Sequence, residues 1–235
     1  MEMNLFMNKK NLPVSIVAIL STVDYIPITL KAMTATLRSV RPEYGSYIIC
    51  PQNSFDTSPL NIRQINIQID ENYSLWILKN LKNYINSEYV LIQQWDSCVI
   101  NKEKWTDDFL SYDYIGAPWS INNNNSFVGN GGFSLRSSAF IESCSSKEIV
   151  ETLPVGEFII GNEDFHACYT SRAILENKYK IKFPTYNLAL QFSVERVGPA
   201  GFNPSILNSY QSFGFHGNFN SAGMKFIEEL ECINE

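Results

Sequence analysis

Through its first hundred residues the chain alternates short β-branched apolar runs with stretches whose apolar residues recur at helical spacing. Residues 14–20 are the first such run, and Pro27 stands where a helix can begin. Ile26, Leu30, Met33, Leu37 and Val40 then share one helical face. Residues 47–50 read as a second strand closed by Pro51, and residues 65–70 as a third. Leu75, Leu78, Leu81 and Ile85 lie on one face of a second helix. The next run, residues 89–93, is nearly all apolar, as a parallel strand covered on both faces requires, and it leads straight into Gln94-Trp95-Asp96. This order predicts a doubly wound α/β sheet, mostly parallel and flanked by helices, with its ligand site outside the carboxyl ends of the strands. By that rule Ser21, Thr22, Asp24 and Asp96 face one crevice.

Beyond residue 100 the pattern loosens. A short helix is expected at 104–110, followed by the stretch 112–119, a loop of four asparagines at 122–125, a glycine-rich segment from Gly129, and further helical stretches. No linker or repeat divides the chain. The reading is one domain with a nucleotide-binding half (about 14–100), an acceptor or catalytic half (about 101–217), and a C-terminal helix or tail (218–235).

Composition narrows the function classes. The 235 residues are 45% hydrophobic, enough to fill one substantial core. A net charge of −6 gives no global basic field, so nucleic acid is not the expected partner. The five cysteines are scattered and never spaced as C-x-x-C, which suggests neither a disulfide framework nor a zinc site; a reducing, cytoplasmic setting is expected. Lys9 and Lys10 before the first apolar run imitate a secretory signal, but the run is short and no small-residue cleavage site follows. No later stretch reaches the ~18 apolar residues of a membrane helix.

Several side chains stand where chemistry is possible. Asp96, at a strand end, either holds a hard divalent cation or caps the turn at Ser97. Gly129, Gly131 and Gly132 allow close backbone approach to a ligand or positive φ, and equally suit a tight turn. Glu163 and Asp164 follow Asn162, an expected N-cap, so they either complement the helix dipole or present a general base. His216 lies between glycines in an aromatic stretch, as a cation ligand, a phosphate contact or a bystander; His166 is expected to pack. Tyr114, Trp119, Trp95 and Phe133 are core aromatics or platforms for a sugar.

Gln94-Trp95-Asp96, the string at 112–119 (YDYIGAPW), Gly129 to Arg136 (GNGGFSLR), Glu163-Asp164 and Gly214-Phe215-His216 occur in an order that resembles GT-A glycosyltransferases. In particular they resemble a small bacterial and viral glycosyltransferase-like family, over roughly residues 14–217. The resemblance implies a Rossmann-like GT-A sheet that binds a nucleotide diphosphate sugar (UDP-, GDP- or TDP-sugar) and a glycan acceptor. It sets Asp96 in the place of the metal-binding D-x-D carboxylate and His216 in that of a late ligand to Mn²⁺ or Mg²⁺. The acidic pair looks like that of inverting galactosyltransferases, which makes Asp164 the base and Glu163 an acceptor contact. Ser21, Thr22, Asp24, Gln94, Gly131, Gly132 and Arg136 complete the implied donor site. The usual first aspartate of D-x-D is Gln94 here, so one anionic contact is missing. Two other readings are a sugar-phosphate nucleotidyltransferase, which usually has a glycine-rich basic loop that residues 21–24 lack, and a non-catalytic glycan- or nucleotide-binding domain.

Overall fold

A computed structural model of the chain describes residues 9–51, 55–58, 60–69, 71–121, 125–155, 161–195 and 211–217. The expected tail at 218–235, Cys232, most of the asparagine loop and the last residue of the expected third strand lie outside them.

A six-stranded sheet runs through the centre. Its spatial order is Arg63–Asn66, Ser46–Cys50, Ser15–Ile19, Tyr89–Gln93, Phe133–Ser137 and Tyr114–Gly116. The first four strands are mutually parallel, and Phe133–Ser137 is antiparallel to both of its neighbours. The sheet is therefore mostly parallel, as expected from the alternation of strands and helices.

The strands are covered on both faces because their side chains alternate. Along Ser15–Ile19, Ile16 and Ala18 enter one apolar cluster with Met33, Leu37, Phe133 and Phe192. Val17 and Ile19 enter a second cluster with Trp76, Ile77, Phe140 and Ile141. The helix Ile26–Ser39, opened by proline, lies on the first face. Tyr73–Asn80 and Ser138–Cys144 lie on the second.

Three sequence expectations change in detail. The third strand spans Arg63–Asn66, not 65–70, because it pairs with Ser46–Cys50 and the ladder stops where its partner does, at Cys50 opposite Asn66. The helix expected at 104–110 is two 3-10 turns, Lys102–Lys104 and Asp107–Ser111. Asn101 and Thr106 cap them by accepting from the amides of Glu103 and Asp108, local bonds that compete with a continuous helix. Asn162 occupies an N-cap position, but its side chain makes no cap bond; the three-residue helix Glu163–Phe165 passes into a π-turn, His166–Thr170.

Two small pairings shape one end of the sheet. Pro118–Ile121 and Asn125–Val128 form an antiparallel pair. Ser193–Glu195, Gly214–His216 and Ser97–Val99 make a three-stranded sheet in that order. Among the described residues no helix is long and apolar enough to cross a membrane.

Candidate active site

Three routes bring side chains to one sheet edge. Gln94, Trp95 and Asp96 leave the carboxyl end of Tyr89–Gln93. Gly131 and Gly132 lead into Phe133–Ser137, whose antiparallel register sets Phe133 opposite Gln93, so the glycine segment enters at that same edge. His216 arrives by strand pairing, opposite Ser97 and hence beside Asp96. The Gln94 amide donates to the Gly132 carbonyl at 2.8 Å, and the Ser97 hydroxyl donates to the same oxygen at 3.1 Å.

The glycines are needed for room. Positive φ among the described glycines occurs at Gly45 and Gly217, not in this segment. A Cβ on Gly132 would lie 2.1 Å from His216 Nε2, and one on Gly131 would lie 2.8 Å from both Arg136 Nη2 and Asp164 Cβ. At Gly129 it would meet Trp119 Cζ3 at 2.5 Å. What approaches the backbone so closely is the protein's own side chains. Two consecutive glycines thus leave room for Asp164 at the first and His216 at the second.

Asp164 Oδ2 accepts from the Gly131 amide at 2.8 Å, and Oδ1 from the Phe165 amide at 2.7 Å. Burial and then the negative charge of Glu163 push its carboxyl up to about 7, against the pull of those two amides and of Arg136. Such a group exchanges a proton near neutrality, as a general base must.

Glu163 and Arg136 face each other. Arg136 Nη2 donates to Glu163 Oε1 at 3.0 Å, with side chains 4% and 11% exposed. Arg136 also donates to Ser134 Oγ at 3.0 Å and the Gly131 carbonyl at 3.3 Å, and its guanidinium carbon is 5.5 Å from the centre of the Tyr114 ring. Their charges are matched inside the protein, beneath the segment that holds Asp164.

His216 Nε2 lies 3.2 Å from Gln94 Oε1 and 3.3 Å from Asp96 Oδ1. Burial alone lowers the His216 pKa, but the hydrogen bond and charge of Asp96, with Glu195 and Asp164 further off, outweigh it and raise it. The spacing suits a shared cation: adjacent donors around an octahedral ion at ~2.1 Å are separated by about 3 Å. Among the described residues no three of His, Cys, Asp and Glu gather as a cation site; the side-chain donors that lie together here are Asp96, His216 and the amide oxygen of Gln94.

The first-strand loop completes this edge. Ser21 and Asp24 are exposed, and the Thr22 hydroxyl accepts from the Asp24 amide at 3.4 Å. Tyr25, which follows them, lies with its ring 5.5 Å from that of Trp95, so the loops after two neighbouring parallel strands touch. Tyr114 and Phe133 are core residues, whereas Trp95 and Trp119 are half-buried. His166 packs as expected, with Nε2 2.9 Å from the Ile149 carbonyl.

Tyr73 is the residue that sequence reasoning missed. Its hydroxyl donates to the Ile19 carbonyl at 3.3 Å, and burial with the nearby Glu163 charge raises its pKa while the Gln94 side chain opposes. An aromatic in the first turn of a helix carries no distinguishing signal in one sequence.

The architecture is that of the GT-A glycosyltransferases. Mouse xyloside xylosyltransferase 1 superposes with a TM-score of 0.52 at 8% identity, covering 89% of this chain and 99% of that one. The bifunctional glycosyltransferase WbbM gives a TM-score of 0.52 at 10% identity, covering 97% of this chain and 50% of WbbM, so the chain spans half of that enzyme. At these identities the likeness is one of fold. The chain belongs to the family described as protein of unknown function DUF5672, whose model matches residues 60–216. No curated protein matches it in sequence.

Proposed function

We propose that this protein is an inverting glycosyltransferase that moves a sugar from a nucleotide diphosphate sugar to a hydroxyl of a glycan. The observation that carries the reading is the pair Gly131-Gly132, which leaves room for a carboxylate of near-neutral pKa at one residue and for a His–Asp pair at the next, at the strand ends of a GT-A sheet.

In this reading the acceptor hydroxyl attacks the anomeric carbon and Asp164 takes its proton. The bond from that carbon to the diphosphate oxygen breaks on the opposite side, and the nucleoside diphosphate leaves with the electron pair. Configuration inverts in a single displacement. Asp96, His216 and the Gln94 carbonyl would hold Mn²⁺ or Mg²⁺ against the diphosphate. Such a cation, when bound, neutralises the leaving charge. Because Gln94 is neutral, the protein offers one carboxylate where D-x-D offers two, and the donor's own phosphates are expected to supply part of the affinity. Glu163 acts by holding Arg136 and by its charge beside Asp164, which supports the raised pKa.

The Gln94 substitution also favours a second reading, a binding domain that keeps the fold without turnover. Incubation with UDP-, GDP- and TDP-sugars and Mn²⁺ separates the two. Release of nucleoside diphosphate supports the transferase; binding of a nucleotide sugar without release, with any acceptor offered, supports the binding domain.

A further inference from the structure

Tyr73 stands among the site residues without a part in the chemistry above. It opens the helix Tyr73–Asn80 and packs against the second apolar cluster, which includes Val17, Ile19, Val90 and Ile92. Gln94 is on this same face. Its backbone N–H bonds to the Gly132 carbonyl and so extends the ladder past Gln93. The alternation that sends Val90 and Ile92 to the second cluster therefore sends the Gln94 side chain the same way. The parallel register that pairs Val17 with Ile92 also brings Ile19 abreast of Gln94, one strand spacing away.

The Tyr73 hydroxyl has one proton to give. It gives it to the Ile19 carbonyl at 3.3 Å, an oxygen that can only accept. Toward Gln94 the phenol therefore offers lone pairs. The Gln94 side chain hydrogen-bonds to the phenol, and this bond pulls the phenol's pKa down against its burial, as an N–H donated to the phenol oxygen does. Nε2 of the amide is thus turned to Tyr73. The other end of the amide meets the imidazole, with Oε1 3.2 Å from His216 Nε2.

We infer that Tyr73 is a positioning residue, whose hydroxyl fixes the Gln94 amide so that its carbonyl oxygen, and not its NH₂ group, faces His216 and the cation site. This deepens the transferase reading and rests on its cation site. The orientation matters because Gln94 stands where D-x-D has a carboxylate. A carboxylate presents lone pairs from either oxygen, whereas an amide turned by half a rotation presents N–H donors, which repel a cation. A neutral glutamine serves as an oxygen donor only when it is held, and a phenol whose own proton is engaged elsewhere holds it in one sense.

The test uses the full chain. Without any cation, NMR of the ¹⁵N-labelled parent is expected to show a nuclear Overhauser contact between the Tyr73 ring and the Gln94 Nε2 protons, which are identified by their loss in Gln94→Glu. Isothermal titration with Mn²⁺, beside whichever of UDP, GDP and TDP binds, then measures what the contact does. Tyr73→Phe keeps the ring and removes the hydroxyl; it should weaken Mn²⁺ binding by about fivefold or more, the scale of one net hydrogen bond. In the Gln94→Glu background, where the two oxygens are alike, the same change should cost less than about twofold. A tyrosine that only packs would cost the same factor in both backgrounds. That result, or a parent amide without contact to the Tyr73 ring, overturns the inference and leaves the transferase reading standing. If the parent binds no Mn²⁺ beside any of the three nucleotides, the cation part of the transferase reading fails, and the Nε2 contact alone decides whether Tyr73 sets the amide.

Discussion

Gly132 and His216 share a space that holds only one side chain: a Cβ on the glycine would lie 2.1 Å from Nε2 of the imidazole. The ring is in turn 3.3 Å from Asp96 and 3.2 Å from Gln94. The absence of a side chain at residue 132 therefore decides where the histidine stands.

Gly132→Ala is expected to displace His216 and to destabilise the protein by about 1–3 kcal/mol, as overpacking of a tight site does. Calorimetry should show a lower Tm, and isothermal titration a weaker response to Mn²⁺ plus UDP. An unchanged Tm together with unchanged binding would contradict the packing argument.

Glu163→Ala removes the carboxylate that neutralises Arg136 and leaves a buried guanidinium without its charge partner. Breaking such a pair costs about 3–5 kcal/mol. Chemical denaturation measures this directly. Arg136→Met combined with Glu163→Leu, which removes both charges and keeps the volume, should recover much of the loss.

The pH dependence follows from Asp164. A base with its carboxyl raised to about 7 is protonated, and idle, in mild acid. The expected rate, read as kcat/KM, rises about tenfold per pH unit below that midpoint and levels above it. Glu163→Gln takes away the neighbouring like charge, so the midpoint should move down. Stability runs the other way. A carboxyl raised on folding binds more protons in the folded state; its stabilising contribution is complete below the usual carboxylate range and is lost as pH rises through about 7. The Tm of Asp164→Asn relative to the parent should accordingly increase from pH 5 to pH 8.

The structure also shows which parts of this arrangement a single sequence carries. The strand at 89–93 has the same bounds in both, because a nearly continuous apolar run covered on both faces leaves little freedom in placement. The edge strand was displaced because its partner, which ends at Cys50, sets its length, and nothing in residues 63–70 encodes that limit. Asp96, Asp164, the glycines and His216 were legible as residue types in an order. Their convergence depends on two strand registers and on the bond from the Gly131 amide to Asp164, which no local pattern specifies. The Arg136–Glu163 pair was invisible for the same reason: 27 residues of chain separate two side chains whose contact is made by packing.

His216→Ala removes a nitrogen donor next to Asp96 without touching Asp164. Turnover of a donor in saturating Mn²⁺ is expected to fall at least tenfold, with the pH midpoint of the residual rate still near 7. A parallel loss of the pH midpoint would show that His216, not Asp164, carries the titration.

The most direct measurement is release of nucleoside diphosphate from a donor panel, in the presence of a glycan acceptor, by the parent protein and by Asp164→Asn. The account expects the parent to turn over one donor class. It expects the variant to lose at least a hundredfold in kcat, within the ~10²–10⁴ that a positioned base contributes, while binding that nucleotide with unchanged affinity. Full activity of Asp164→Asn, with an unshifted pH profile, would contradict the assignment of the base and the mechanism built on it.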